Sequence, residues 1–430
     1  MIKSPRGTSD VLPPESAKWI YLEGIVREVA RRYNFDEIRL PTFEHSELFS
    51  RTVGETTDIV EKEMYTFKDK TGRDLTLRPE GTAGVARAFV EHGMASGPLP
   101  RKFYYLGSMF RYERPQAGRY REHRQFGVEI FGSPSPHSDV EVITLAMDIA
   151  EELGLTGTEL YINSIGCPKC RGPYKEALIA YLTPHIDELC EDCRSRLTRN
   201  PLRALDCKSE RCKALVAGAP SSLDYLCGEC KEHWDRFREI LTAVGIPYTV
   251  DKSLVRGLDY YTRTVFELKW PPLGPAGSTL CGGGRYDGLV EQLGGPPVAG
   301  VGFGMGLERM LLANEKGEKP IQAGGEIDVF IVCPKGGEGE DKGFEREARL
   351  QELARAFRRK GLRCDFDPLQ RSMKAQMKQA DRMNARFVVI LGEDEFRSRS
   401  ASVRSMRHGW QKTVPIEEVL ATIEEAGQNG

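Results

Sequence analysis

Glycine stands at every second position from Gly300 to Gly306 in "GVGFGMGLERM". No other stretch restricts its neighbours so tightly. Side chains alternate across a β-strand, so these glycines share one face and Val301, Phe303 and Met305 share the other. The apolar face belongs in a core. The bare face lets a flat ring lie directly on the backbone. A helix follows, with Arg309 in its first turn. No Lys-Ser or Lys-Thr pair follows the glycines, so this is not a Walker A loop. The unbroken glycine spacing also excludes a Rossmann fingerprint. "GGGR" at Gly282 to Arg285 fails both tests and reads as a turn.

A second strand, "RQFGVEIFG", sends Phe126, Val128 and Ile130 into a core and Gln125, Gly127 and Glu129 to the other side, where the glycine leaves space. The strand before it, "RKFYYLGSMFRYE", ends at Arg111. The connecting loop adds Arg114, Arg119 and Arg121. Guanidinium groups pair two oxygens at once, so this hairpin suits phosphate; a solvated loop tip reads the same way. A third stretch, "LVRGLDYYTRTVFEL", is a strand from Tyr260 onward, led by Arg256, Asp259 and paired tyrosines. Either a surface corner or a site explains that opening. No Ser/His/Asp or Cys/His nucleophile set stands out, which leaves positioned charge as the chemistry available.

A chain of 430 residues holds two or three domains. Its 61 basic and 63 acidic residues nearly cancel, which excludes a uniformly basic nucleic-acid coat but not local patches. "MIKSPRGTSD" has no apolar signal segment, and the longest apolar runs, such as Phe387 to Leu391, are strand-length. The expectation is a cytoplasmic protein with no membrane partner. Leu22, Val26, Val29 and Tyr33 mark an amphipathic helix. "DEIRLPTFE" reads as a strand containing Pro41. A strand from Asp74 to Arg78 leads to a helix capped by Thr82 and carrying Val85, Phe89 and Val90. "DVEVITLAMDIAEELGL" is a helix stopped by Gly154. After the linker "NEKGEKPIQAGGE", strands and helices alternate: Ile327–Cys333, Glu345–Lys360, Arg363–Phe366, Ser372–Asn384 and Phe387–Gly392. That order predicts a small α/β domain with a mostly parallel sheet, beginning near Glu326. Within it Arg371, Lys374, Lys378 and Arg382 form a basic stripe opposite Met373, Met377 and Ala380. The stripe reads as an RNA-steering surface or as a solvated face.

Eight of the eleven cysteines fall between Cys167 and Cys230. They are Cys167, Cys170, Cys190, Cys193, Cys207, Cys212, Cys227 and Cys230, and three close pairs have metal-ligand spacing. Tetrahedral zinc takes four thiolates, so the set makes two sites, or one with spares. Reduced thiols and disulfides are the alternatives.

"FYYLGSMFRYERPQAGRYREHRQFGVEIFG" resembles motif 2 of class II aminoacyl-tRNA synthetases, and "GVGFGMGLERM" resembles motif 3. Pro41 stands where motif 1 has its proline. "LVRGLDYYTRTVFE" and "GGGRYDGLV" resemble the two signature peptides of the histidyl-tRNA synthetase family, bacterial type. The likeness runs along nearly the whole chain and is weakest between Cys167 and Cys230. It implies an α+β catalytic domain with an antiparallel sheet, of the class II synthetase type, in residues 1–166 and 249–320. It also implies an inserted, mainly helical cysteine-rich domain at 167–248 and a C-terminal α/β anticodon-binding domain at 326–430.

The reaction so implied is ATP-dependent ligation of L-histidine to the 3′ end of tRNA(His) through a histidyl-adenylate. Magnesium accompanies ATP, and motif 1 builds a homodimer. By resemblance, Arg111 and Arg256 hold the α-phosphate and are the catalytic pair. Arg309 packs on adenine and reaches the γ-phosphate, and Arg119 completes the ATP site. Glu80, Gly81 and Thr82 of "RPEGT" take the α-ammonium, and Gln125 the backbone part of histidine. Glu129 and Tyr261, with Tyr260 beside them, read the two imidazole nitrogens, one a donor and one an acceptor. A site that pairs both nitrogens rejects analogues lacking them by roughly 10⁴ or more. The chain departs from the family where His123 and Arg124 precede Gln125; members often have an aromatic residue and a histidine there, so those two residues are left without a role. The nearest alternative is a synthetase-like regulatory subunit of histidine biosynthesis. Such paralogues generally lack the anticodon-binding domain and parts of the motifs that this chain keeps.

Overall fold

Gly300–Gly306 is indeed a strand, and it lies inside an eight-stranded sheet. The computed structural model describes residues 2–428, apart from 56, 117, 208, 275–276, 323–326 and 336–339, with backbone alone at 340–343 and 428. It divides into Met1–Gln322 and Ala323–Gly430. The boundary expected near Glu326 lies outside the described residues.

In the first unit the strands are β1 (Asp36–Glu37), β2 (Phe43–His45), β3 (Tyr65–Lys68), β4 (Asp74–Leu77), β5 (Arg101–Phe110), β6 (Glu122–Phe131), β7 (Glu159–Ser164), β8 (Thr249–Val250), β9 (Thr262–Lys269), β10 (Thr279–Arg285) and β11 (Gly300–Gly306). The large sheet runs β1-β5-β6-β11-β10-β9-β7-β8, antiparallel except for its two outermost pairs. β2, β4 and β3 form a separate small sheet. "DEIRLPTFE" is therefore not one strand. It splits into β1 and β2, which join different sheets, and Pro41 lies between them. Proline has no N–H to carry a ladder across that point.

Gly282 to Arg285 is strand and not turn, because β10 pairs with both β9 and β11. The glycines there answer to crowding. A Cβ on Gly283 would stand 2.2 Å from the Gly302 carbonyl, and one on Gly282 would stand 2.3 Å from the Arg256 guanidinium. Tyr260 and Tyr261 precede β9 instead of opening it.

One sheet face covers the main core. Phe126, Val128 and Ile130 of β6 and Val301, Phe303 and Met305 of β11 are buried there against the helices Glu15–Arg32 and Pro136–Glu152. Each such side chain contributes about 1.5–3 kcal/mol by leaving water. The helix Pro136–Glu152 starts where Ser135 accepts the His137 N–H at 3.3 Å, with proline in its first turn. It ends before Gly154 at φ +72°. The other sheet face carries a second core, including Tyr105, Tyr260, Tyr261, Val265 and Tyr286. The cysteine-rich stretch leaves the sheet after β7 and returns at β8, its parallel neighbour.

The second unit holds β12 (Val329–Val332), β13 (Cys364–Phe366), β14 (Phe387–Ile390), β15 (Ser400–Ser405) and β16 (Gln411–Pro415), in the order β13-β12-β14-β15-β16. β12 is parallel to β13 and β14, whereas β15 and β16 add antiparallel pairs. The sheet is thus mixed, where a mostly parallel one was expected. In the helix Met373–Arg382, Ala380 is buried and Lys374, Lys378 and Arg382 are exposed. Two members of the expected pattern differ. Arg371 precedes the helix and its Nε donates to Asp367 at 2.8 Å, and Met373 is 37% exposed, outside the core. No helix among the described residues is long and apolar enough to cross a membrane.

Candidate functional site

Residues opposite one another in an antiparallel pair share a face. Gly302 stands opposite Glu129, and Gly306 opposite Gln125. The glycine face is not bare: the chain's own side chains lie on it. A Cβ on Gly302 would come within 2.1 Å of Glu129, one on Gly304 within 1.7 Å of Gln125 and one on Gly300 within 2.3 Å of the Tyr286 ring. The space at Gly127 and Gly81 is likewise taken, by the ring of Tyr105, 2.3 Å from either hypothetical Cβ. These glycines let a polar pocket be built against the sheet.

At the open end of that face is a cavity of about 250 Å³ lined by Arg111, Arg119, Arg256, Arg309, His123 and Gln125, among others. Each guanidinium is tethered and keeps donors free. Arg111 Nε donates to the Pro79 carbonyl (2.8 Å), Arg309 Nη1 to the Thr279 carbonyl (2.9 Å) and Arg256 Nη1 to Glu267 (2.6 Å). Arg119 pairs with Glu113. Gathering like charges has a cost, visible in Arg309, whose pKa is lowered by burial and by Arg119 and Arg111. A polyanion would relieve it. The other two hairpin arginines do not line the cavity: Arg121 lies over the Tyr112 ring at 3.7 Å and Arg114 is exposed.

Deeper in, Glu80, Thr82, Glu129, Tyr260 and Tyr261 are all buried. Thr82 Oγ1 donates to Glu129 Oε1 at 2.6 Å. Thr82 is the first residue of its helix and not the cap. Glu80 does the capping: its carboxylate accepts the Thr82 N–H at 2.7 Å and the Ala83 N–H at 2.8 Å. A threonine reads as a cap from sequence, but the carboxylate two residues earlier satisfies those donors and frees the hydroxyl to face the pocket. Burial pushes the pKa of Glu129 well up, against the hydrogen bonds from Thr82 and Tyr286, and Glu80 adds to the rise. Tyr105 Oη, Gln125 Oε1 and Arg256 Nε are buried without a hydrogen-bond partner. Such orphaned atoms are costly, and two of the three residues, Gln125 and Arg256, line the cavity.

Four residues went unassigned in the sequence. Tyr286 bonds Glu129 and stacks edge-on with Tyr260 (centroids 5.6 Å apart). It belongs to "GGGRYDGLV", so the signal was present. Tyr105 gave none beyond its place in an alternating strand. His123 lines the cavity, and burial plus the charges of Arg111, Arg309 and Arg119 lower its pKa to about 3. Burial raises Glu308 to about 7 although it accepts the Arg124 N–H at 2.8 Å. Arg285, beside Tyr286, is fully buried with Asp139 and is structural.

The cysteines resolve into two groups, Cys167, Cys170, Cys227 and Cys230, and Cys190, Cys193, Cys207 and Cys212, each with all sulfurs within 4.8 Å of one another. All eleven cysteines of the chain are unbridged.

An antiparallel sheet that brings an arginine-lined cavity and a buried polar pocket onto one glycine-cleared face is the arrangement of a class II aminoacyl-tRNA synthetase. A family model described as histidyl-tRNA synthetase matches residues 7–310, and one described as an anticodon binding domain matches 328–426. The chain belongs to the histidyl-tRNA synthetase family. It is 52% identical to histidine–tRNA ligase of Moorella thermoacetica over 99% of both chains. It is 49% identical to that of Caldanaerobacter subterraneus over 98% of this chain and 99% of the relative. It also resembles the crystal structure of apo histidyl-tRNA synthetase from S. aureus, with a TM-score of 0.81, 41% identity and coverage of 98% of this chain and all of that one.

Proposed function

We propose that this chain joins L-histidine to the 3′ end of tRNA(His) at the expense of ATP. The observation that carries the reading is the convergence of Arg111, Arg119, Arg256 and Arg309 on one cavity that also meets Gln125. In the first step a histidine carboxylate oxygen attacks the α-phosphorus of ATP, and pyrophosphate leaves. In the second, a hydroxyl of the tRNA 3′ end attacks the acyl carbon, and AMP leaves. Arg111 and Arg256 neutralise the α-phosphate as charge develops; Arg309 and Arg119 hold the rest of the triphosphate. ATP brings Mg2+, which neutralises the outer phosphates.

Histidine lies inward, its ammonium toward Glu80 and Thr82 and its ring between Glu129 and Tyr261. An imidazole N–H donated to Glu129 favours the carboxylate against its burial. Tyr260 and Tyr286 pack around that pair. The regulatory-subunit reading is the less supported. Relatives about half identical over nearly the whole chain are histidine–tRNA ligases, and the arginines are present.

We further propose a catalytic domain at 1–166 and 249–320, an inserted domain at 167–248, an anticodon-binding domain at 326–430, a cytoplasmic homodimer, and structural zinc in the inserted domain. The test is charging of tRNA(His) with labelled histidine. Wild type is expected to form histidyl-tRNA. Arg256→Ala should lose about 10²–10³ in rate, the size of one transition-state charge partner. An undiminished Arg256→Ala rate refutes its assigned role.

A further inference from the structure

The sulfur spacing limits what the two cysteine groups can be. Cys167 Sγ lies 3.7 Å from Cys170 Sγ and 3.9 Å from Cys227 Sγ, and Cys190 Sγ lies 3.8 Å from Cys207 Sγ. Disulfide sulfurs are about 2.05 Å apart. Thiolates placed tetrahedrally about 2.3 Å from a zinc ion have edges of about 3.8 Å. Backbone N–H groups already face the sulfurs: Cys227 N–H to Cys170 Sγ at 3.1 Å and Cys190 N–H to Cys212 Sγ at 3.3 Å. Such donors stabilise thiolate around a metal.

What these groups hold is the loop Arg256–Tyr261. Arg171, next to Cys170 of the first group, donates from Nη1 to the Asp259 carbonyl at 3.4 Å and from Nη2 to the Tyr261 carbonyl. Asn200 and Arg203 lie between Cys193 and Cys207 of the second group. Asn200 Nδ2 donates to Asp259 Oδ1 at 2.9 Å, and Arg203 Nη1 to the Gly257 carbonyl at 2.7 Å. Three side chains of the cysteine-rich segment thus fix one short loop. That loop carries Arg256, Tyr260 and Tyr261.

We infer that each tetrathiolate group binds one zinc ion and that the two ions set the loop that reads histidine, with Arg171, Asn200 and Arg203 as positioning residues. This rests on the ligase reading for the loop's role. The segment buries apolar side chains of its own, among them Tyr174, Leu178, Leu182 and Leu197, and metal binding adds folding free energy to that packing. Loss of zinc releases the loop and weakens histidine more than ATP.

The experiment uses the full chain purified without chelator. Elemental analysis should give two zinc ions per chain, one for each group, and Cys227→Ser should lose one. Arg171→Met should keep both ions yet raise the histidine KM in ATP–pyrophosphate exchange about tenfold, the size of one lost charge-assisted hydrogen bond. Its ATP KM should change little, and Arg171→Lys should recover part of the loss. Because Cys227→Ser can fail to fold, wild type stripped of zinc by a thiol-directed mercurial is the second arm, read by histidine binding and restored by thiol and zinc. Zinc-free protein that activates histidine normally overturns the inference and leaves the ligase reading standing. So does Arg171→Met with a wild-type histidine KM. Zinc-replete protein that activates no amino acid defeats the ligase reading, and with it the coupling to histidine.

Discussion

His123 shows how one residue records its surroundings. Burial and the arginines around the cavity keep its imidazole neutral, with a pKa of about 3 against roughly 6.5 in an unfolded chain. Between those values the unfolded chain binds a proton that the folded chain refuses. Stability contributed at this position therefore falls as pH drops below about 6.5, and continues to fall toward the folded value. His123→Asn removes the dependence. Denaturant titrations of both proteins should show the wild type's advantage over His123→Asn shrinking between about pH 7 and pH 4.5. A difference independent of pH would mean that burial and the neighbouring cations do not hold this ring neutral. A neutral imidazole also adds no further positive charge to a cavity already holding four arginines.

At the scale of the element, the glycine-bearing strands β10 and β11 are shaped by what lies on them. Gly302→Ala puts a Cβ 2.2 Å from the Val128 carbonyl and 2.1 Å from Glu129. The backbone oxygen cannot swing aside, so the expected loss is about 1–3 kcal/mol or more. Gly306→Ala meets nothing within 4 Å and should leave unfolding within about 0.5 kcal/mol of wild type. Thermal or denaturant unfolding that ranks the two the other way contradicts this account of the strands. The alternation itself was legible from sequence, and so were the two faces of β6. What covered the glycine face was not, because periodicity reports which side a residue points to and not what arrives from elsewhere in the chain. Gly282 to Arg285 read as a turn for the same reason: local glycine content cannot show that Arg256 and a neighbouring strand need the space. Thr82 was misread as a cap because the competing carboxylate of Glu80 is a choice made by tertiary structure. Tyr105 was invisible, since a tyrosine in an alternating strand is ordinary. The arginines were legible only because chemistry and motif pointed to the same positions.

For the whole molecule, the two units carry separate cores, one around Phe126 and Phe303 and another around Val329, Phe357 and Val389. The cavity and the buried pocket belong entirely to Met1–Gln322. A chain cut after Gln322 should therefore retain histidine-dependent ATP–pyrophosphate exchange while losing most charging of tRNA(His), because the unit matching an anticodon binding domain is gone. Loss of both activities together in a folded truncation would show that activation needs the second unit.

On the proposed function, the polar pocket beside the arginine-lined cavity accepts an imidazole and nothing else. The most direct measurement is ATP–pyrophosphate exchange with each proteinogenic amino acid in turn. Exchange with histidine alone is the predicted result. Exchange with a different amino acid, or with none, would contradict it.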